Sequence, residues 1–104
     1  MDKLAIVVPC YNEEEVLPDS SGKLLNKMNE MISQGKITAD SRIVFIDDGS
    51  KDKTREIIYE LHKQDPVYSG LNFSCNCGHQ SAILAGMLAA RQHADVVVTI
   101  DADL

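Results

Sequence analysis

Arg42-Ile43-Val44-Phe45-Ile46-Asp47-Asp48-Gly49-Ser50 begins as a short apolar run and ends in two carboxylates, a glycine and a serine. A run of this length suits a strand buried on both faces, and the polar cluster then marks its carboxyl end. Upstream, Leu4-Ala-Ile-Val-Val8 has the same character and is closed by Pro9. Downstream, Val67–Phe73 reads as a weaker third strand. Asp95-Val-Val-Val-Thr-Ile100, rich in β-branched residues, reads as a fourth.

Segments of helical period separate these runs. Leu17, Leu24, Met28 and Met31 recur at three-, four- and seven-residue spacing, with Gly35 as the stop. Asn12 followed by Glu15 has the form of a capping box and places the start of that helix just beyond Asn12. Ser50 is placed to cap a second helix, whose buried stripe is Ile57, Ile58 and Leu61 and which Asp65-Pro66 breaks. Gly78 opens a third helix, with Ile83, Leu84, Met87 and Leu88 expected to face inward. Ala82, Ala85, Gly86, Ala89 and Ala90 make that helix small-sided and able to approach a sheet closely.

Strands alternating with helices predict an α/β fold: a Rossmann-like parallel sheet with right-handed crossovers and helices on both faces. In such sheets ligands sit beyond the carboxyl ends of the strands, where strand order reverses. Pro9-Cys-Tyr-Asn-Glu13, Asp47-Asp-Gly-Ser50 and Asp101-Ala-Asp103 all stand at such ends and should converge on one crevice.

Composition narrows the function classes. With 104 residues the chain is expected to form one domain, residues 1–104, around one core. A net charge of −6 leaves no basic stripe to neutralise phosphates, so nucleic acid is excluded as a partner. The longest apolar stretches are too short to cross a bilayer, and Met1 leads directly into a strand-like run without a signal peptide. The three cysteines, Cys10, Cys75 and Cys77, make a poor disulfide framework, and only His79 stands near the pair as a further zinc ligand. Free thiols in a reducing cytoplasm are the simpler expectation.

The clusters suggest a chemistry. Asp101 and Asp103, separated by one residue on extended chain, should point the same way and could hold Mg²⁺ or Mn²⁺ with substrate phosphates and waters. On its own the D-x-D pattern is as readily a solvated strand end; its position beside two other polar clusters favours the metal. Asp47-Asp48-Gly49-Ser50 reads both as an Asp-Gly turn and as a carboxylate aimed at a base or ribose, with Gly49 supplying the positive φ. Tyr11 could lie against a base. Glu14 and Glu15 are assigned to the helix dipole. The amides of the third helix's entrance, Asn76-Cys77-Gly78-His79-Gln80, could approach a diphosphate, with Asn76 securing the loop and His79 non-catalytic. No G-x-G-x-x-G follows the first strand and no P-loop motif occurs, which disfavours dinucleotide oxidoreductases and P-loop hydrolases.

The order V-V-P-C-Y-N-E, F-I-D-D-G-S-x-D-x-T, N-x-G-x-x-x-A and I-D-A-D-L resembles the family 2 glycosyltransferases along the whole chain. It is most similar to the branch of dolichyl-phosphate mannose synthases and bactoprenol glucosyltransferases, which carries D-A-D-L. The resemblance implies the first, nucleotide-sugar-binding half of a GT-A fold. Pro9, Tyr11 and Glu13 match positions lining base and ribose, and Asp48 with the Ile46 backbone matches the base-recognising position, leaving Asp47 structural. Ala102 and Asp103 match the diphosphate–metal site, with Asp103 the first choice of direct ligand and Asp101 on the ribose or completing the metal shell. The implied reaction is metal-assisted, inverting transfer of a sugar from a nucleoside-diphosphate sugar to a glycan or polyprenyl (lipid) phosphate acceptor, in the cytoplasm or at the cytoplasmic face of a membrane. No catalytic base is expected within these residues. The acceptor half and any membrane association would lie beyond Leu104, so the 104 residues are expected to be inactive and, with an uncovered sheet edge, to favour a homo-oligomer. One departure stands out: Ser74-Cys75-Asn76-Cys77-Gly78 replaces the branch's S-R-N-F-G and lacks its arginine. A Mg²⁺-binding flavodoxin-like or receiver-like module, built on Asp47, Asp48 and Asp103, is the rival reading. A nucleotidyltransferase would need a basic glycine-rich loop where Pro9–Glu13 is acidic.

Overall fold

Seven elements alternate along the chain in a computed structural model that describes residues 1–103: β1 (Leu4–Cys10), α1 (Leu17–Ser33), β2 (Arg42–Asp47), α2 (Thr54–Gln64), β3 (Tyr68–Asn72), α3 (His79–Ala90) and β4 (Val96–Thr99). The strands form one parallel sheet in the order β3-β2-β1-β4. The first two crossovers step outward from β1 to β3; the third returns past them and sets β4 on the other side of β1. Strand order therefore reverses between β1 and β4, as the expected architecture requires.

The two-residue period of the strands divides the core. Leu4, Ile6, Val8 and Cys10 of β1, with Ile43 and Phe45 of β2, meet Leu17, Leu24 and Met28 of α1 and Ile58 of α2. Ala5, Val7 and Ile46 point the other way, onto Ala82 and Ala90 of α3. Every residue of β1 is buried, which accounts for its unbroken apolar sequence. Among the described residues β4 is an edge strand of this sheet, with Val96 and Val98 exposed.

Three local expectations are corrected. Asn12 and Glu15 form no capping box. Asn12 sits in the left-handed region at φ 53°, and α1 begins only at Leu17, with Pro18 in its first turn. Ser50 does not cap α2, because its hydroxyl accepts the Asn12 N–H at 2.9 Å and the helix starts at Thr54. In α3 the inward face is Ala82, Gly86 and Ala90, whereas Leu84, Met87 and Leu88 are exposed. The reason is close approach: a Cβ on Gly86 would lie 2.4 Å from Val7 Cγ1 and 3.0 Å from Ile46 Cγ1. The helix turns its narrowest side to the sheet, and its larger side chains have no room there.

Candidate functional site

At the switch point a cavity of about 350 Å³ opens between the carboxyl ends of β1 and β4. Pro9, Cys10, Tyr11 and Glu13 line it from the end of β1, Asp48 from the end of β2, and Asn76, Gly78, His79 and Ala82 from the entrance of α3. Asp101, Ala102 and Asp103 close it from the end of β4.

The D-A-D segment owes its shape to its middle residue. β4 ends at Thr99, and residues 102–103 form a turn instead of continuing the strand. Ala102 is buried in the core beneath α1, and its carbonyl accepts the hydroxyl of Ser20 at 2.6 Å. That tether leaves Asp101 and Asp103 exposed on either side of it. The His79 imidazole lies 3.9 Å from an Asp101 oxygen, both groups being well exposed.

The Asp47–Asp48 pair divides by role. Asp47 is fully buried, with one oxygen accepting the Ser50 N–H at 3.3 Å and the other 3.5 Å from Arg55 Nε, without a hydrogen bond. Asp48 reaches the cavity wall, where its oxygens accept the Cys77 N–H at 2.8 Å, the Gly78 N–H at 3.1 Å and the Asn76 amide at 3.1 Å. Two amides of the α3 entrance are therefore turned to Asp48. Gly49, at φ 72°, makes this packing feasible: a Cβ there would lie 2.3 Å from the Cys75 carbonyl carbon.

Charge around the cavity is one-sided. Its lining contains no lysine or arginine. The Glu13 carboxyl is pushed above its ordinary value by burial, then by the negative charges of Asp103, Asp52 and Asp101. Among the described residues, no three His, Cys, Asp or Glu side chains approach closely enough to hold a metal by themselves.

Of the residues singled out from the sequence, Pro9, Tyr11, Glu13, Asp48, Asp101, Ala102 and Asp103 all meet here. Ile46 does not: it is buried in β2, between Pro9 of β1 and Leu71 of β3, with its side chain under α3. Sequence reasoning missed Ala82 as a wall residue and Ser20 as the anchor of Ala102. Serine in the first turns of a helix carries no signal that its partner lies 82 residues away.

A profile of glycosyl transferase family 2 matches residues 5–104, nearly the whole chain. The chain belongs to that family. It is 46% identical over 101 residues to an uncharacterized glycosyltransferase, YkoT, of Bacillus subtilis (strain 168), covering 97% of this chain and 30% of that protein. It is 39% identical over 104 residues to a prophage bactoprenol glucosyl transferase homolog of Escherichia coli (strain K12), covering 98% of this chain and 31% of the relative. The fold is similar to that of the mannosyltransferase PcManGT from Pyrobaculum calidifontis, solved in complex with GDP-Man and Mn²⁺. The TM-score is 0.70 at 20% identity, over 98% of this chain and 28% of that one. This family chain thus spans about 30% of the length of the curated relatives it matches, and its sheet is the GT-A arrangement that the motifs imply. No described helix is long and apolar enough to cross a membrane.

Proposed function

We propose that this part of the protein binds the nucleoside-diphosphate portion of a sugar donor, and that the whole protein transfers the sugar to a lipid-phosphate or glycan acceptor at the cytoplasmic face of a membrane. The observation that carries this reading is the placement of a concave site at the β1–β4 switch point, lined by Tyr11, Asp48, Asp101 and Asp103 together. Family membership sets aside the receiver-like alternative. The bactoprenol-named relative favours a polyprenyl phosphate as acceptor.

The donor's diphosphate is an anion, and the wall that would face it offers carboxylates and no lysine or arginine. A divalent cation resolves that conflict, and the donor set fits one: Asp101 and Asp103 are exposed oxygen ligands suited to Mg²⁺ or Mn²⁺, with phosphate and water completing the shell. When bound, such a cation supplies neutralisation of the charge that develops on the departing nucleoside diphosphate. The complex of PcManGT with GDP-Man and Mn²⁺ is consistent with this reading. Ala102 holds the two aspartates in place through Ser20, and Tyr11 offers a ring for the base. Inversion at the anomeric carbon would further require a base or activated acceptor on the far face of the sugar.

Sugar transfer by the Asp103→Ala variant tests the assignment. Loss of transfer by about 100-fold or more is expected, with the unfolding midpoint little changed, because an exposed carboxylate contributes to charge neutralisation and not to the core. Near-normal transfer at saturating metal would remove Asp103 from the site.

A further inference from the structure

The motif Ser50-x-Asp52-x-Thr54 lies beyond the cavity and takes no part in the chemistry above. Its side chains are nevertheless spent on one task. Three consecutive backbone amides of the loop after β1 are each taken by one of them: Asn12 N–H by Ser50 Oγ at 2.9 Å, Glu13 N–H by Thr54 Oγ1 at 2.8 Å, and Glu14 N–H by Asp52 Oδ2 at 3.2 Å. The Lys51 N–H returns a bond to Asn12 Oδ1 at 2.9 Å. Thr54 is fully buried, and its hydroxyl also donates to Asp52 Oδ1 at 2.6 Å, which fixes the direction of the lone pair that receives Glu13. Burial opposes ionisation of Asp52, but hydrogen bonds from Thr54 and Glu14 outweigh it and hold the carboxyl below its usual range, as an acceptor should be.

This loop needs such support. It has left the β ladder, carries a left-handed non-glycine residue at Asn12, and presents Tyr11 and Glu13 to the cavity. Without partners its amides would turn to water and the wall would lose its shape.

We propose that Thr54 and Asp52 are positioning residues for the donor, acting through the Tyr11–Glu13 wall and not by touching the ligand. The proposal rests on the donor-binding reading of the cavity. It makes the spacing meaningful: the serine, aspartate and threonine stand two residues apart, and the amides they receive are adjacent on a neighbouring loop.

The test is calorimetric titration of the protein and its variants with UDP and with GDP in the presence of Mn²⁺, at a temperature where circular dichroism shows each to be folded. Thr54→Val keeps the shape and removes the acceptor; it should weaken binding roughly tenfold. Asp52→Asn keeps one oxygen and should weaken it about threefold. Thr54→Ser restores the hydroxyl and should bind like the parent. Amide exchange at Glu13 and Glu14 should quicken in Thr54→Val while β1 and β2 stay protected, a response that general destabilisation would not confine to the loop. Parent-like affinity in Thr54→Val would overturn the positioning role and leave the donor reading standing. If the parent binds neither nucleotide, the donor reading fails and the positioning role with it. Should Thr54→Val not fold, Asp52→Asn decides: unchanged affinity and unchanged exchange at Glu14 would overturn the proposal.

Discussion

The two faces of the sheet are packed by different means. Against α1 and α2 the sheet sets Ile43, Phe45, Ile6 and Val8, and the helices answer with Leu17, Leu24, Met28 and Ile58. Against α3 the contact is made by Ala82, Gly86 and Ala90, and the helix backbone comes close enough for Val7 to occupy the space a side chain on Gly86 would need. One face is held by interlocking large side chains, the other by proximity. Leu84, at 59% exposure, shows what the second solution leaves outside. Apolar content therefore says that a helix packs, and residue size says which side of it does.

Removing bulk and adding it should cost the two faces in opposite ways. Phe45→Ala empties the centre of the α1–α2 side, where the ring is fully buried and stacked 5.8 Å from Tyr68, and should lower stability by about 3–5 kcal/mol in denaturant unfolding. Gly86→Ala adds a single methyl group to the α3 side, where Val7 and Ile46 are fully buried and cannot yield freely, and should cost about 1–3 kcal/mol despite the better helix propensity of alanine. A stabilised Gly86→Ala protein would show that α3 is not seated by close approach.

Cys10 belongs to the first face and reports on its dryness. Burial, then the charges of Glu13 and Asp47, raise its thiol from 9.0 to about 12. In the unfolded chain the thiol ionises near the ordinary value, so the native state binds the extra proton. Its contribution to stability is complete below about pH 9 and is lost as pH rises toward about 12, at up to about 1.4 kcal/mol per pH unit. Denaturation across that window should show this slope in the parent and less of it in Cys10→Ala; equal slopes would mean the thiol is wetter than its burial indicates. The smallest effect belongs to the outer side of α3: Leu88→Gln should change stability by no more than ~0.5 kcal/mol, since Leu88 is already 45% exposed. A large loss there would mean the side chain is covered in the working protein.

The site and the fold were legible to different depths. Strand-length apolar runs ending in Pro9, Asp47 and Asp101 placed the three polar clusters at one end of a parallel sheet, and the cavity is built from all three. Local capping rules failed at the same loops. Asn12-x-x-Glu15 and Ser50 have the composition of helix starts, yet Asn12 and Ser50 bond to each other, 38 residues apart. A side-chain oxygen near a helix entrance meets local and distant donors alike, and sequence spacing reports only the local ones. Asp48 shows the same limit: its place on the wall followed from the strand end, whereas its hydrogen bonds to Asn76, Cys77 and Gly78 depend on where α3 returns.

By itself the sequence determined the alternation of strands and helices, the parallel sheet and the family, because each is written in short-range periodicity and in motifs at strand ends. Tertiary structure alone decided which side of α3 faces inward, that Ala102 is tied to Ser20 so that Asp101 and Asp103 stand free, and that Ser50, Asp52 and Thr54 serve the loop after β1. Those outcomes depend on how closely two backbones approach and on which polar groups remain unpaired once they have, and neither quantity exists until the chain has closed on itself.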